Sequence, residues 1–145
     1  METPLRIFPR PSLDAAIQLL RNAQLPTGDL TESHVERFFF AGPSSQPTGL
    51  VGLEKFDDVA LLRSLVVAEE RRGMGDGQRL LAHIEDYARA EGVRTLYLLT
   101  TTAEPFFAKR GFARASREAA PAPIRSSREF AGLCPASSAF MAKQL

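Results

Sequence analysis

The sequence predicts one mixed α/β domain in which short strands and helices interleave. Two observations point there. A chain of 145 residues can bury one sizeable core but is short for two ordinary domains. Its apolar residues also change period: GLVGLEKF and VALLRSLVVA are short, bounded runs of strand character, whereas from Gly77 onward Leu80, Leu81, Ile84, Tyr87 and Ala88 recur at helical spacing. With no internal repeat and no linker-like stretch, residues 1–145 read as a single domain.

The elements follow in order. Leu5 to Phe8 makes a short strand, and Ser12 caps a helix over LDAAIQLLRNAQL, with Leu13, Ile17 and Leu20 on one face and Pro26 ending it. Leu30 to His34 is a second helical turn leading into the aromatic strand VERFFFAG, which stops at Gly42-Pro43. GLVGLEKF and VALLRSLVVA, separated by Asp57-Asp58, pair as adjacent antiparallel strands, the simplest use of so short a connection. The helix after Gly77 closes at Glu91-Gly92; TLYLLTTT is a strand, AEPFFAKRGF a short helix ending at Gly111, and FARASREA another strand. PAPIRSSREFAGLCP folds as a helix or ordered loop over the sheet, and SSAFMAKQL alternates as a final strand.

Composition excludes several classes. A formal charge of +1 gives no surface-wide positive field, so a general nucleic-acid binder is not expected. No run is long enough to span a bilayer, and METPLRIFPRPS lacks the apolar core of a signal peptide, which makes the cytoplasm the expected compartment. The single cysteine, Cys134, permits no internal disulfide. With only His34 and His83 beside it, no structural metal site is expected, and Cys134 reads as a small buried hydrophobe.

The stretch RRGMGDGQRLL places Gly73, Gly75 and Gly77 at a strand-to-helix junction. The first turn of a helix presents backbone N–H groups without intrahelical partners, and the helix dipole adds partial positive charge there. Glycines permit positive φ and remove the Cβ atoms that would hold a phosphate away. Arg71 and Arg72 add charge. The pattern lacks the Gly-Lys-Ser/Thr end of a P-loop and is not the dinucleotide GxGxxG. The alternative is a tight turn with solvated arginines.

With what precedes and follows it, VALLRSLVVAEERRGMGDGQRLLAHIEDYARAEGVRTLYLLTTTAEPFFAKRGFA resembles the core of the GCN5-related N-acetyltransferase family. Arg72 to Gly77 meets its Arg/Gln-x-x-Gly-x-Gly/Ala pattern, and AEPFFAKRGF meets its later Ala, aromatic pair and Gly-Phe. LRNAQLPTGDLT and REFAGLCPASS further resemble a branch associated with arsenic resistance. The resemblance implies an α/β (α+β) fold: a mixed, mostly antiparallel twisted sheet of six or seven strands, about four helices, and a splayed parallel pair, Ala60–Ala68 and Thr95–Thr102, forming a cleft for acetyl-coenzyme A.

It also implies roles. The pyrophosphate meets Arg71, Arg72, Gly73, Met74, Gly75, Asp76 and Gly77. The pantetheine arm pairs with the backbone of Leu65, Val66 and Val67, and the N–H of Val66 or Val67 steadies the oxyanion that forms when an amine attacks the thioester. Phe106, Phe107 and Lys109 complete the cofactor site. The family commonly has a tyrosine as acid where this chain has Phe107, which supplies no proton. Asp76 stands where an apolar residue is usual and is expected to turn outward, toward the helix terminus or a neighbouring arginine.

A protonated amine needs a base or water relay. Glu54, in an otherwise apolar strand with Leu50 and Gly52 on its face, is the first candidate, followed by Glu32, Glu36 and Glu104. Arg63, with Thr100 and Thr101 and covered by Arg125 or Arg128, suits an acidic group on the acceptor; equally, Arg63 pairs with Glu54 across the strands. The expected partner is a small-molecule amine, with a homodimer formed through the final strand. An acetyl-coenzyme A sensor and a purely structural subunit stand as the alternatives to an enzyme.

Overall fold

The computed structural model of the chain describes residues 5–133 and 137–145, with main chain only at Leu133. Cys134 lies outside the described residues. Among the described residues seven strands form one sheet in the order β1-β2-β3-β4-β5-β7-β6. They are β1 (Ile7–Pro9), β2 (Phe38–Ala41), β3 (Gly49–Phe56), β4 (Val59–Val67), β5 (Thr95–Thr100), β6 (Ala113–Arg114) and β7 (Ala139–Gln144). Five α-helices accompany them among the described residues: α1 (Leu13–Asn22), α2 (Glu32–Val35), α3 (Asp76–Ala90), α4 (Glu104–Ala108) and α5 (Ala122–Arg125). A 3₁₀ turn follows β4 at Glu69–Arg71, and a wide helical turn occupies Glu129–Leu133.

Helix α1 begins where the sequence places a cap, the Ser12 hydroxyl accepting the Ala15 N–H at 3.1 Å. It stops at Asn22, before Pro26, because Gln24 adopts a left-handed conformation with φ 59°. β3 and β4 pair as the predicted hairpin, Phe56 opposite Val59, with Asp57 taking the left-handed conformation that this residue type tolerates. Gly92 at φ 85° ends α3.

Alternation sorts the sheet into two faces. Val51, Leu53, Leu62, Leu96 and Leu98 pack under Leu80, Leu81 and Ile84 of α3. Leu50, Phe38 and Phe40 pack under Ala16, Leu19 and Leu20 of α1 on the opposite face, and Leu61 and Phe140 continue that face under Ile124 of α5. Each fully buried leucine or isoleucine contributes about 1.5–3 kcal/mol. Gly52 is required here: a Cβ would lie 2.2 Å from Phe38 Cε1.

FARASREA is a strand only at Ala113–Arg114. The chain then leaves the sheet edge so that Ala120 can bury beside Leu61 and Ile124, with the Ala119 and Ala120 amides bonding back to Ser116 and Arg117. The final strand is internal to the sheet, Met141 and Ala142 being paired to both β5 and β6, so those positions cannot also bridge subunits.

Candidate active site

The cleft originates in two irregularities. β4 and β5 are parallel neighbours, but their pairing runs only from Val59 opposite Thr95 to Leu61 opposite Tyr97. Beyond that point both strands continue unpaired with each other. Against β3, Gly52 is opposite Arg63 and Leu50 opposite Val66, so β4 carries one extra residue, and Ser64 sits there at φ 62°. Such a bulge bends its strand and increases the local twist. It also resets the alternation: Leu62 and Leu65, three apart, both pack on the α3 face. The result is a cavity of about 960 Å³ between the diverging ends, walled by Leu62–Val67 and Leu98–Ala103 and closed by Phe106 and Phe107.

The backbone of β4 is directional. The Ala68 N–H donates to the Thr48 carbonyl of the β3 side, whereas the Val67 carbonyl turns away and accepts from Arg72 Nε at 3.1 Å. With a two-residue period, Val67 and Leu65 present their amides to the open side and Val66 presents its amide to β3. Of the two oxyanion donors expected, Val67 is the one facing the cleft. Val66 is withdrawn from that role by its pairing with Leu50.

A second cavity of about 530 Å³ adjoins the first, the two sharing Val67, Arg72, Gly77 and Phe106. Its wall is the glycine loop. Gly73 and Gly75 have φ of 79° and 83°, and Gly75 is the N-cap of α3. The first α-helical bond in that turn is Arg79 N–H to the Gly75 carbonyl, leaving the earlier amides of the turn without helical partners. Asp76 does not turn outward. It is 2% exposed and accepts two hydrogen bonds from Arg71, Nε to Oδ2 at 2.9 Å and Nη2 to Oδ1 at 3.0 Å. The arginine partner is as expected and the burial is not, and both members of the pair also line the second cavity. Arg71 is thus engaged with Asp76 at the wall of the second cavity, whereas Arg72 lines both cavities. Met74 is half exposed and lines neither.

At the inner end of the cleft lies a buried ionic cluster. Arg63, 2% exposed, donates to Asp29 (Nη1–Oδ2 2.5 Å, Nη2–Oδ1 2.9 Å) and to Glu54 (Nη1–Oε1 2.6 Å), and its Nη2 is 3.1 Å from Glu129 Oε1. His34 Nε2 lies 3.7 Å from the same Glu54 oxygen, while its Nδ1 accepts the Thr31 N–H at 3.1 Å. Burial pushes the Asp29 carboxyl up, but Arg63's hydrogen bonds and charge outweigh that and hold it below the usual carboxylate range. For Glu129 burial prevails: despite Arg63, it is pushed up to about 7, with Asp29 and Glu54 adding repulsion. Asp29, His34 and Glu54 converge as three ligand-type side chains, but the Arg63 guanidinium already joins the two carboxylates.

The ion-pair reading of Arg63 and Glu54 is the one the geometry bears, and it removes Arg63 as a free clamp for an acidic group. Glu54 is not among the residues that line the cleft. Glu32 and Glu36 are exposed, and Glu104 is held by Arg114 at 2.5 Å. Thr100 and Thr101 do line the cleft, and the Thr100 hydroxyl also accepts the Ala103 N–H. Arg125 and Arg128 are exposed and line neither cavity. Their segment reaches the cleft through Glu129, because alternating burial along the turn after α5 sinks Ser127 and Glu129 and leaves Arg128 outside. Lys109 is likewise exposed; its neighbour Arg110 takes the cavity position, stacked 3.9 Å over the Phe106 ring. Phe107 is buried edge-on to Phe106 and Phe112. Sequence reasoning missed Asp29, Glu129, Arg110 and Ser138, whose buried hydroxyl has no hydrogen-bond partner among the described residues. None interrupts an apolar pattern, the one signal that singled out Arg63 and Glu54.

A pyrophosphate-bearing thioester fits these residues: free helix-start amides, positive-φ glycines, Arg72 and Arg110 stand beside a strand edge with outward amides. The fold and the splayed cleft define the class, an α/β domain whose central parallel strands part to open a cleft. The acetyltransferase (GNAT) family model matches residues 4–112. The chain belongs to that family. Among known proteins it is similar to an amino-acid acetyltransferase of Ralstonia nicotianae, 45% identical over 65 residues, covering 45% of this chain and 14% of that protein. A second amino-acid acetyltransferase, from Neisseria meningitidis serogroup A, is 35% identical over 92 residues, 62% of this chain and 21% of that protein. The matched regions are thus about a seventh and about a fifth of those relatives' lengths. Among solved structures, the N-acetylglutamate synthase of Neisseria gonorrhoeae complexed with coenzyme A and N-acetyl-glutamate superposes with a TM-score of 0.82 at 27% identity, over all of this chain and 36% of that one. A Mycobacterium tuberculosis protein in complex with CoA shares the fold over 99% of both chains, with a TM-score of 0.76 at 20% identity.

Proposed function

We propose that the chain acetylates the amino group of a small amino-acid-like compound. The observation that carries this reading is the continuity of the two cavities, which joins a phosphate-binding loop to a polar end lined by Arg63, Thr100, Thr101, Glu129 and Ser138. The names of the relatives, amino-acid acetyltransferase and N-acetylglutamate synthase, support the acceptor class.

Acetyl-coenzyme A supplies the acetyl group as an activated thioester. The amides of the Gly73–Gly77 loop, with Arg72 and Arg110, hold its phosphates, and the outward amides of Leu65 and Val67 align its arm. The Val67 N–H is the donor for the thioester oxygen, a contribution of about 3 kcal/mol for one well-aimed group. Phe107 packs at the thiol end and leaves the sulfur to depart as thiolate, which coenzyme thiol acidity permits.

The finer reading is an amino-acid-like toxic compound carrying an acidic group, in an arsenic-resistance setting, handled in the cytoplasm by a homodimer. Its substrate and setting rest on the resemblance of LRNAQLPTGDLT and REFAGLCPASS, its compartment on the absence of a spanning run or signal-like apolar core in the sequence, and its homodimer on the family resemblance. Thr100 and Thr101 are the groups left to receive such an acid, since Arg63 is neutralised and Arg125 and Arg128 lie elsewhere. Competition among glutamate, neutral amino acids and their phosphinate or arsinate analogues for acetylation tests the substrate class. Preference for the acidic members supports the finer reading, and equal rates across the set remove it. Binding without transfer to any amine marks a sensor, the reading favoured by phenylalanine at position 107.

A further inference from the structure

We propose that Glu129 is the base that receives the acceptor's ammonium group and takes its proton; the proposal rests on the transfer reaction proposed above. The geometry singles out this carboxylate. Arg63 is the shared counter-ion of Asp29, Glu54 and Glu129, but of those three acids only Glu129 lines the cleft. Asp29 takes both guanidinium nitrogens and Glu54 sits behind on β3, so the two consume Arg63's charge and more. One cation facing three carboxylates leaves room for a second, and an alkylammonium entering the cleft supplies it. Ser138, 5% exposed and with no partner for its hydroxyl among the described residues, lines the same cleft and offers a further polar contact to whatever docks there.

The groups facing Glu129 are Arg63 from β4, Glu54 from β3 and Asp29 from the loop before α2, with His34 of α2 beyond Glu54. Burial and the two neighbouring acids make Glu129 basic enough to accept a proton near neutral pH, the condition for an efficient base. The proton balance closes. One ammonium proton passes to Glu129. The freed nitrogen pair forms the N–C bond while the C–S bond breaks and its pair leaves on sulfur. The second nitrogen proton goes to the thiolate, and Glu129 returns its own to solvent.

The test is Glu129→Gln in the full chain, assayed with acetyl-coenzyme A and the common amino acids from pH 6 to 10. Relative to wild type, kcat/KM with the best acceptor is expected to fall about 100-fold or more at pH 7. The defect should shrink as pH passes the acceptor's own amine pKa, because deprotonated amine then needs no base. Calorimetric affinity for acetyl-coenzyme A should stay unchanged, and Glu129→Asp should recover part of the rate. In the chain without ligand, a ¹³C-labelled Glu129 carboxyl should titrate with a midpoint near 7. A defect of equal size at every pH, no defect at all, or an ordinary carboxylate midpoint overturns the role of Glu129 while leaving the enzyme. Wild-type protein that binds acetyl-coenzyme A yet acetylates no amino acid overturns the underlying reaction and this role with it.

Discussion

Two residues concentrate the chemistry of the cleft. Gly75 combines a φ of 83° with a Cβ direction that meets Arg79 Nη1 at 3.3 Å, at the position where the helix-start amides open. Gly75→Ala is therefore expected to weaken acetyl-coenzyme A binding at least tenfold by calorimetry and to cost about 1 kcal/mol of stability; unchanged affinity contradicts the placement of the phosphates. Glu129 makes a stability prediction of opposite character to a salt-bridged acid. Its folded-state pKa is raised to about 7 from the ordinary 4.5. The folded state therefore holds the proton more tightly, and its contribution is fully present below pH 4.5 and lost as pH rises through 7. Wild type should lose ~3 kcal/mol relative to Glu129→Gln across that window, read as diverging melting temperatures. Parallel curves contradict the burial of this carboxyl. Asp76 shows how a residue's chemistry can be legible while its place is not: an acid among glycines reads as solvent-seeking, and only the fold reveals that Arg71 closes over it.

At the scale of elements, the decisive feature is the extra residue in β4. It parts the strand from β5 and turns Leu65 and Val67 toward the opening, and nothing in VALLRSLVVA marks Ser64 as left-handed. The hairpin, α1, α3 and β5 were legible because period and caps agree there. FARASREA was not, since burial of Ala120 on the far face overrides local strand character. The glycine loop is braced by the Arg71–Asp76 pair, whose arginine is 39% exposed and whose acid is buried. Asp76→Ala should destabilise the chain by about 1–2 kcal/mol, less than a fully buried pair because water screens the arginine. Denaturation that leaves the midpoint unchanged contradicts a structural role for the pair.

Over the whole molecule, the sheet separates two tasks. Its α3 face anchors the phosphate loop, and the opposite face, under α1, α2 and the turn after α5, carries the Arg63 cluster. Gly52 lets Phe38 lie flat on that second face; Gly52→Ala should cost about 1–3 kcal/mol through overpacking, and a neutral result contradicts this contact. The mixed fold and the loop were readable from sequence because both are written in periodicity and spacing. The acceptor end was less so, because Asp29, Arg63, Glu129 and Ser138 come together from four distant segments. Charge marks out Arg125 and Arg128 in the sequence, whereas burial selects the acid beside Arg128. The most direct measurement is the release of coenzyme A thiol on mixing the full chain with acetyl-coenzyme A and individual amino acids. Release is expected to depend on the amino acid and to match the acetylated product mole for mole; thiol release at the same rate with no amine present, or none with any amine, contradicts acetyl transfer to an amino acid.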